Sequence, residues 1–286
     1  MVFLLIRLEG IFVYIDTIIA IYNPHTMKST TFPLNISPLN SIWQSSLGDA
    51  EHSKISYFNL NNVLLDEVLR IQQLGLVIWS PDSDEYGLLL GDLQNVCGWS
   101  NDYLKNVGPE AFLSHLVSSS FKGLCSLIKH MNTYLMSISE SQLPHFKAIY
   151  DYELIGKDGK IRRICQENSI FTLDKNSKVQ YFLSCISNIS NVKRDGKQHL
   201  FLTGSSKEML IEIDQLTNVC TELQLLTTRE LEIARFMGKG LQSEEISELL
   251  NIALTTVYKH RQNILQKLKM QDTSEALHLL KTLKMI

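Results

Sequence analysis

The 286-residue chain lacks any cysteine arrangement that could staple a fold or hold a metal. Its five cysteines (Cys97, Cys125, Cys165, Cys185 and Cys220) are odd in number and scattered, with no CxxC pair and no Cys/His cluster at zinc-ligand spacing. That excludes a disulfide framework or a zinc module and is the usage expected in the reducing cytoplasm. Long apolar runs are lacking too. The first 22 residues are rich in Ile, Leu, Phe and Tyr, but Arg7, Glu9 and Asp16 interrupt them. No uncharged stretch there reaches the roughly 20 residues of a spanning helix, so no membrane partner is expected. A secretory signal would need early basic residues and a small-residue cleavage site, and neither is found. Translation could also begin at Met27, which would leave 1–26 outside the protein. The chain has no Gly-rich phosphate loop, no kinase ATP-binding block and no nucleophile elbow, so enzymatic chemistry is not expected. It also lacks the early acidic pair and strand-end Asp of a phosphoryl-accepting domain. His115 and His130, on mixed helices, read as structural rather than as haem ligands. Cys97 precedes Gly98 and does not sit where a flavin-adduct cysteine would. No cofactor is expected.

What is present fits an ordinary globular protein. Hydrophobic residues make up 44% and charged residues 20% of the chain. The length suits two domains. The net charge of −3 is unevenly spread. Leu226–Ile286 carries nine basic and seven acidic residues, leaving the acidic excess on the rest. Ala253–Gln271 holds Lys259, Arg261, Lys267 and Lys269 and no acid. A basic stripe on an acidic body suggests that one element meets a polyanion.

Residues 1–66 read as a leader and an irregular segment, with a helix near Leu60–Gln73. Leu76–Trp79 and Tyr86–Asp92 read as short partner strands around a Ser-Pro-Asp turn. Gln94–Leu135 reads as short helical pieces broken at Gly98, Gly108 and Pro109. His145–Gly156 and Ile161–Leu173 flank Asp158-Gly159, a strong hairpin signal expected to place both turn residues at positive φ. Asp174–Lys178 turns the chain again into Val179–Ser187. Residues 193–222 read as a linker with one possible hairpin over His199–Ile213. The order of two short strands, small helices and three longer antiparallel strands resembles a PAS domain over residues 67–192. The resemblance is carried by Val96–Trp99 and by the hairpin Tyr152–Ile164. Asn188 departs from the acidic residue usual at the strand exit. The resemblance implies a module that senses a small-molecule or protein signal, or that pairs subunits.

The last part of the chain is the most explicit. Thr227 or Thr228 with Glu230 makes a helix start, and Leu231, Ala234 and Met237 recur at helical spacing. Gly238 and Gly240 end that helix. Ser243 is expected to cap a second, with Ile246, Leu249 and Leu250 facing inward. Asn251 turns the chain, and a third helix begins at Ala253 or Thr255. On a helical wheel Val257, Ile264 and Leu268 share one side, while Thr255, Lys259, Gln262 and Gln266 share the other. Gln can pair two-pronged with adenine, and Lys can reach guanine or a phosphate. His260, on the inner flank, reads as a packing residue.

Residues 223–286, and most plainly LTTRE, GKGL, EEISELL and TTVYKHRQNILQKL from Leu226 on, resemble the LuxR/NarL-type helix-turn-helix domain. The resemblance implies four helices, with Thr255–Leu268 in the major groove of double-stranded DNA. It also implies pairing of two copies through Thr273–Leu283, with Leu277, Leu280 and Leu283 either forming the seam or simply covering the core. The DNA-facing set it points to is Thr255, Thr256, Tyr258, Lys259, Arg261, Gln262 and Gln266. Ala253 stands where Ser is usual and Tyr258 where Lys is usual, which weakens a cap and removes a phosphate contact. The fold class expected is thus α+β, a PAS-like antiparallel sheet with short helices followed by an all-α four-helix domain. The function expected is a cytoplasmic, homodimeric transcription regulator with RNA polymerase as a further partner. A protein-interaction adaptor that no longer reads DNA is the alternative.

Overall fold

A computed structural model of the protein describes residues 63–286 apart from 84, 194 and 206. The leader and the question of the start codon lie outside the described residues. The first element, α1 (Val63–Ile71), leads into β1 (Leu74–Trp79) and β2 (Tyr86–Gly91). Three helices follow, α2 (Leu93–Cys97), α3 (Asn101–Ser114) and α4 (Ser118–Ser137), then a 3-10 turn at Glu140–His145. Next come β3 (Lys147–Ile155), β4 (Ile161–Leu173), β5 (Val179–Asn188), β6 (Lys197–Thr203), β7 (Met209–Asp214) and β8 (Cys220–Leu223). Four helices end the chain, α5 (Thr228–Gly238), α6 (Ser243–Leu250), α7 (Leu254–Leu268) and α8 (Thr273–Thr282).

The strands form one sheet in the order β2-β1-β5-β4-β3-β6-β7-β8, every neighbour antiparallel. Residues 197–223 contain the hairpin read over His199–Ile213, as β6–β7, but they are part of the sheet rather than a linker. They are three strands that prolong the sheet, because Lys147–Tyr150 of β3 pairs with Leu200–Thr203 of β6. The β3–β4 hairpin also closes differently from the expectation. Only Gly159 takes a positive φ, of +74°, and Asp158 does not. Gly159 N donates to Gly156 O at 2.9 Å, and Gly156 N to Lys160 O at 2.9 Å, so the turn is a type I turn with a left-handed third residue. The β4–β5 turn repeats it, with Ser177 at φ 60° and Asp174 N donating to Lys178 O at 2.7 Å.

Alternation along the strands gives the sheet two working faces. Ala148, Tyr150, Tyr152, Leu154, Ile164, Leu200 and Leu202 point to the face covered by α2–α4, in one apolar core. Ile149, Cys165, Phe201, Leu210 and Leu223 point the other way and join a second core with Ile233, Val257, Ile264, Leu280 and Leu283 of the terminal helices. The middle of β3 and β6 is therefore buried on both faces. Cys165 Sγ donates to Thr282 O at 3.5 Å, and Lys284 pairs with Glu167, so the C-terminal turn is seated on β4.

Candidate nucleic-acid interface and sheet cavity

The terminal helices are built from local capping chemistry. Thr227 caps α5 by accepting from Glu230 N, while the Glu230 carboxylate accepts from Thr227 N at 2.7 Å. Glu230 is buried and also pairs with Lys267 of α7 at 2.6 Å. Burial alone would raise its pKa, but the Lys267 ammonium and the Thr227 donors hold it below the usual range. The cap of α6 is Gln242 rather than Ser243, because Gln242 N donates to Glu245 Oε2 at 2.6 Å. Ser243 is buried as the first helical residue and accepts from Arg261 Nη1 at 2.7 Å. Asn251, left-handed at φ 49°, makes the turn into α7. The N-cap of α7 is Ala253, which has no side chain to accept a bond.

On α7, Val257, Ile264 and Leu268 are wholly buried. Thr255, Tyr258, Lys259, Gln262 and Gln266 are exposed. Thr256 and Arg261 are half-buried. Arg261 is held on Ser243, and the Tyr258 hydroxyl donates to Glu244 Oε1 at 3.2 Å. His260 is half-buried on the inner flank. Within α6, Ile246 is buried but Leu249 is 61% exposed, so it does not face inward as its spacing suggested. α6 offers only a short arc to its neighbours, and Leu249 falls outside it. Leu280 of α8 and Leu283 just beyond it are fully buried in the chain's own core, which leaves them the core role and removes them from the seam. Leu277 is half-buried, and the outward positions are Ser274, Glu275, His278 and Lys281.

A cavity of about 110 Å3 lies between the sheet and the helices α3 and α4. Apolar side chains dominate its walls, among them Val77, Leu93, Leu104, Phe112, Leu124 and Ile128. Its floor is a hydrogen-bonded set. Tyr152 Oη donates to Gln166 Oε1 at 2.8 Å, Ser184 Oγ donates to Asn168 Oδ1 at 2.7 Å, and Trp79 Nε1 donates to Ser184 Oγ at 2.7 Å. Asn168 Nδ2 reaches Tyr150 Oη at 3.1 Å. Burial raises the Tyr150 and Tyr152 hydroxyls, so both stay neutral, Tyr150 accepting from Asn168 and Tyr152 donating to Gln166. These polar residues were not singled out in the sequence. Their only signal was polarity at inward positions of β4 and β5.

A second group not foreseen lies on the opposite face of the same strands. Asp151, fully buried, accepts from Arg163 Nε at 2.7 Å and from Lys193 Nζ at 2.9 Å. It also accepts from the backbone N of His199 at 2.9 Å. The His199 ring, fully buried, stands 3.4 Å from Glu212 and 4.0 Å from Asp151. Burial, which would raise the Asp151 pKa, is outweighed by Lys193 and Arg163. The group ties the β5–β6 connection to β3 and β4. Elsewhere, His115 stacks on Trp99 with ring centres 3.9 Å apart and meets the Tyr103 hydroxyl at 3.1 Å. Among the described residues no group of three or more His, Cys, Asp or Glu side chains could hold a metal ion, and no helix is long and apolar enough to cross a membrane.

Residues 224–280 match the family described as bacterial regulatory proteins, luxR family. The chain is similar to the response regulator protein VraR of Staphylococcus aureus, 37% identical over 70 residues, which is 24% of this chain and 34% of VraR. VraR of Staphylococcus epidermidis gives the same figures. The chain thus spans about a third of the length of the curated relatives it matches. Among solved structures it is similar to the phage VqmA-DPO complex, at 11% identity and a TM-score of 0.27, covering 79% of this chain and 87% of that one. It is also similar to SdiA of Escherichia coli, at 13% identity and a TM-score of 0.24, covering 88% and 99%. Neither score reaches the level at which two chains share a fold over their length. The stretch that matches the luxR family of bacterial regulatory proteins takes in α5, α6, α7 and most of α8, so the similarity is carried by the C-terminal helices.

Proposed function

We propose that the protein is a transcription regulator that binds double-stranded DNA as a homodimer, with α7 in the major groove. One observation carries the reading. In the stretch that matches the luxR family, the outward face of α7 presents Thr255, Tyr258, Lys259, Gln262 and Gln266 with no acidic residue between Leu254 and Leu268. Amide and ammonium groups on a helix suit base edges and phosphates, and an acid-free helix does not repel the duplex. Lys259, Gln262 and Gln266 are the base-facing set, and Thr255 and Thr256 at the helix start are placed for backbone phosphates. Arg261 acts mainly through Ser243, holding α6 against α7. Pairing through α8 would use Ser274, Leu277, His278 and Lys281, its outward side.

The N-terminal part is proposed to be a PAS-like sensor over residues 67–192, with RNA polymerase as a downstream partner in the cytoplasm. The antiparallel order β2-β1-β5-β4-β3, with α2–α4 inserted between β2 and β3 on one face, supports that reading. The cavity supports a small, largely apolar signal carrying a polar group for Tyr152, Gln166 or Ser184. The test is binding of the purified chain to random duplex DNA across a salt series. A log–log slope of several units and an enriched inverted repeat are expected, with half-sites about one helical turn apart. The double variant Lys259→Ala, Gln262→Ala should lose roughly 2–5 kcal/mol of specific binding. A flat slope with no enriched sequence would leave the protein-interaction adaptor in its place.

A further inference from the structure

Tyr258 is bonded in a way that decides what its oxygen can offer. A phenol has one proton, and a carboxylate can only accept. The Tyr258 hydroxyl donates to Glu244 Oε1 at 3.2 Å, so its one proton is committed inward, toward α6. The side chain is 46% exposed, as Lys259 and Gln262 on α7 are exposed, and with its proton donated the oxygen has only acceptor capacity left. The nearby Glu244 charge raises the phenol's pKa, so the group remains a protonated phenol. Next to this contact, Arg261 Nη1 donates to Ser243 Oγ at 2.7 Å. The start of α6 and the first turns of α7 are thus joined at two adjacent points, which fixes the height of the phenol above the helix.

We propose that Tyr258 selects a base through its oxygen as a hydrogen-bond acceptor, favouring an exocyclic amine in the major groove (adenine N6 or cytosine N4), and that Glu244 is the positioning residue that imposes this polarity. The inference rests on the DNA-binding reading of α7. Adenine and cytosine present amine donors in the major groove, whereas thymine and guanine present acceptors at the corresponding place. A lysine at this position would donate only, and would prefer the opposite bases or a phosphate. A phosphate contact by Tyr258 would need the proton to leave Glu244 and would bring two anions together. The committed phenol therefore reads a base and leaves the backbone to others.

The experiment is competition binding of the full chain to its selected operator and to every single-base variant of one half-site. Wild type, Tyr258→Phe and Glu244→Ala are compared at two salt concentrations, with circular dichroism as the check on folding. At one half-site position the wild type should prefer adenine or cytosine about tenfold. Tyr258→Phe should lose that preference and keep the salt slope. Glu244→Ala, by freeing the proton, should relax the same position so that thymine or guanine is accepted. Unchanged base preferences in Tyr258→Phe, with affinity lowered by the same factor for every sequence or not at all, would assign the phenol to the backbone or to no contact and overturn the proposal. A wild type that enriches no sequence would overturn the DNA reading itself, a result distinct from either variant's behaviour.

Discussion

At the scale of single residues, the most consequential group outside α7 is the charged one around Asp151. A fully buried carboxylate is costly unless charges and donors meet it, and here Arg163, Lys193 and the His199 amide do so. Removing one member of such a pair leaves the others uncompensated. Asp151→Asn is expected to cost about 3–5 kcal/mol, read as a lowered midpoint in urea unfolding. His199 sets a pH limit. Burial first, and the Lys193 ammonium second, hold its pKa below the ordinary value, with Glu212 opposing them. The folded protein keeps the ring neutral where the unfolded chain would bind a proton. This contribution is fully present above the unfolded value of about 6.5 and is lost as pH falls below it toward the lower folded value. His199→Gln should flatten stability between about pH 6.5 and 5, and an unaltered pH profile would remove His199 as the cause.

At the scale of elements, helix ends in the C-terminal domain follow directly from neighbouring residues, with one conspicuous gap. Ala253 sits at the cap of α7 with extended backbone (φ −64°, ψ 143°) and offers no acceptor. Ala253→Ser fits that geometry and should raise stability by about 1 kcal/mol, seen as a higher Tm. In α4, Gly123 faces Gln198, and an added Cβ would stand 1.8 Å from Gln198 Oε1. Gln198 is itself fully buried and bonded to the Asp151 carbonyl, so it has nowhere to move. Gly123→Ala should destabilise by roughly 1–3 kcal/mol through overpacking, measured by thermal unfolding. The hairpin at Asp158-Gly159 was legible as a hairpin but not as a turn type. Asp158-Gly159 suits a two-residue loop and equally the end of a three-residue one, and the strand register of Ile155 opposite Ile161 selects the latter.

At the scale of the whole molecule, the helical domain is seated on the sheet it follows. Phe201, Leu210 and Leu223 belong to the same apolar core as Ile233, Ile264 and Leu283, so sheet and helices share a hydrophobic interior. Phe201→Ala should cost about 3–5 kcal/mol and split calorimetric unfolding into two transitions, one for each part. A single transition at unchanged temperature would mean that the two parts do not lean on each other. The shared core also explains why Leu280 and Leu283 are not at the surface, since they face the sheet and the rest of their own domain.

The sequence by itself determined the helical domain and its outward stripe. Helix capping and 3.6-residue periodicity are local, so Thr227–Glu230, Val257–Ile264 and Thr255–Gln266 could be read within a few residues of each other. It also determined most of the individual strands and where the chain turns between them, because alternation and turn residues are local as well, but not the type of turn. The tertiary structure alone decided that residues 197–223 join the sheet, since pairing of β6 with β3 depends on partners some fifty residues apart. It decided that Asp151, Arg163, Lys193 and His199 meet, and that Gln166 and Ser184 line one cavity with Asn168 bonded behind them. Strand polarity says which face a residue takes, but only the stacking of neighbouring strands says what stands beside it. Tyr258 belongs to both scales. Its exposure followed from the helical wheel, and the direction of its proton followed only when α6 brought Glu244 within reach.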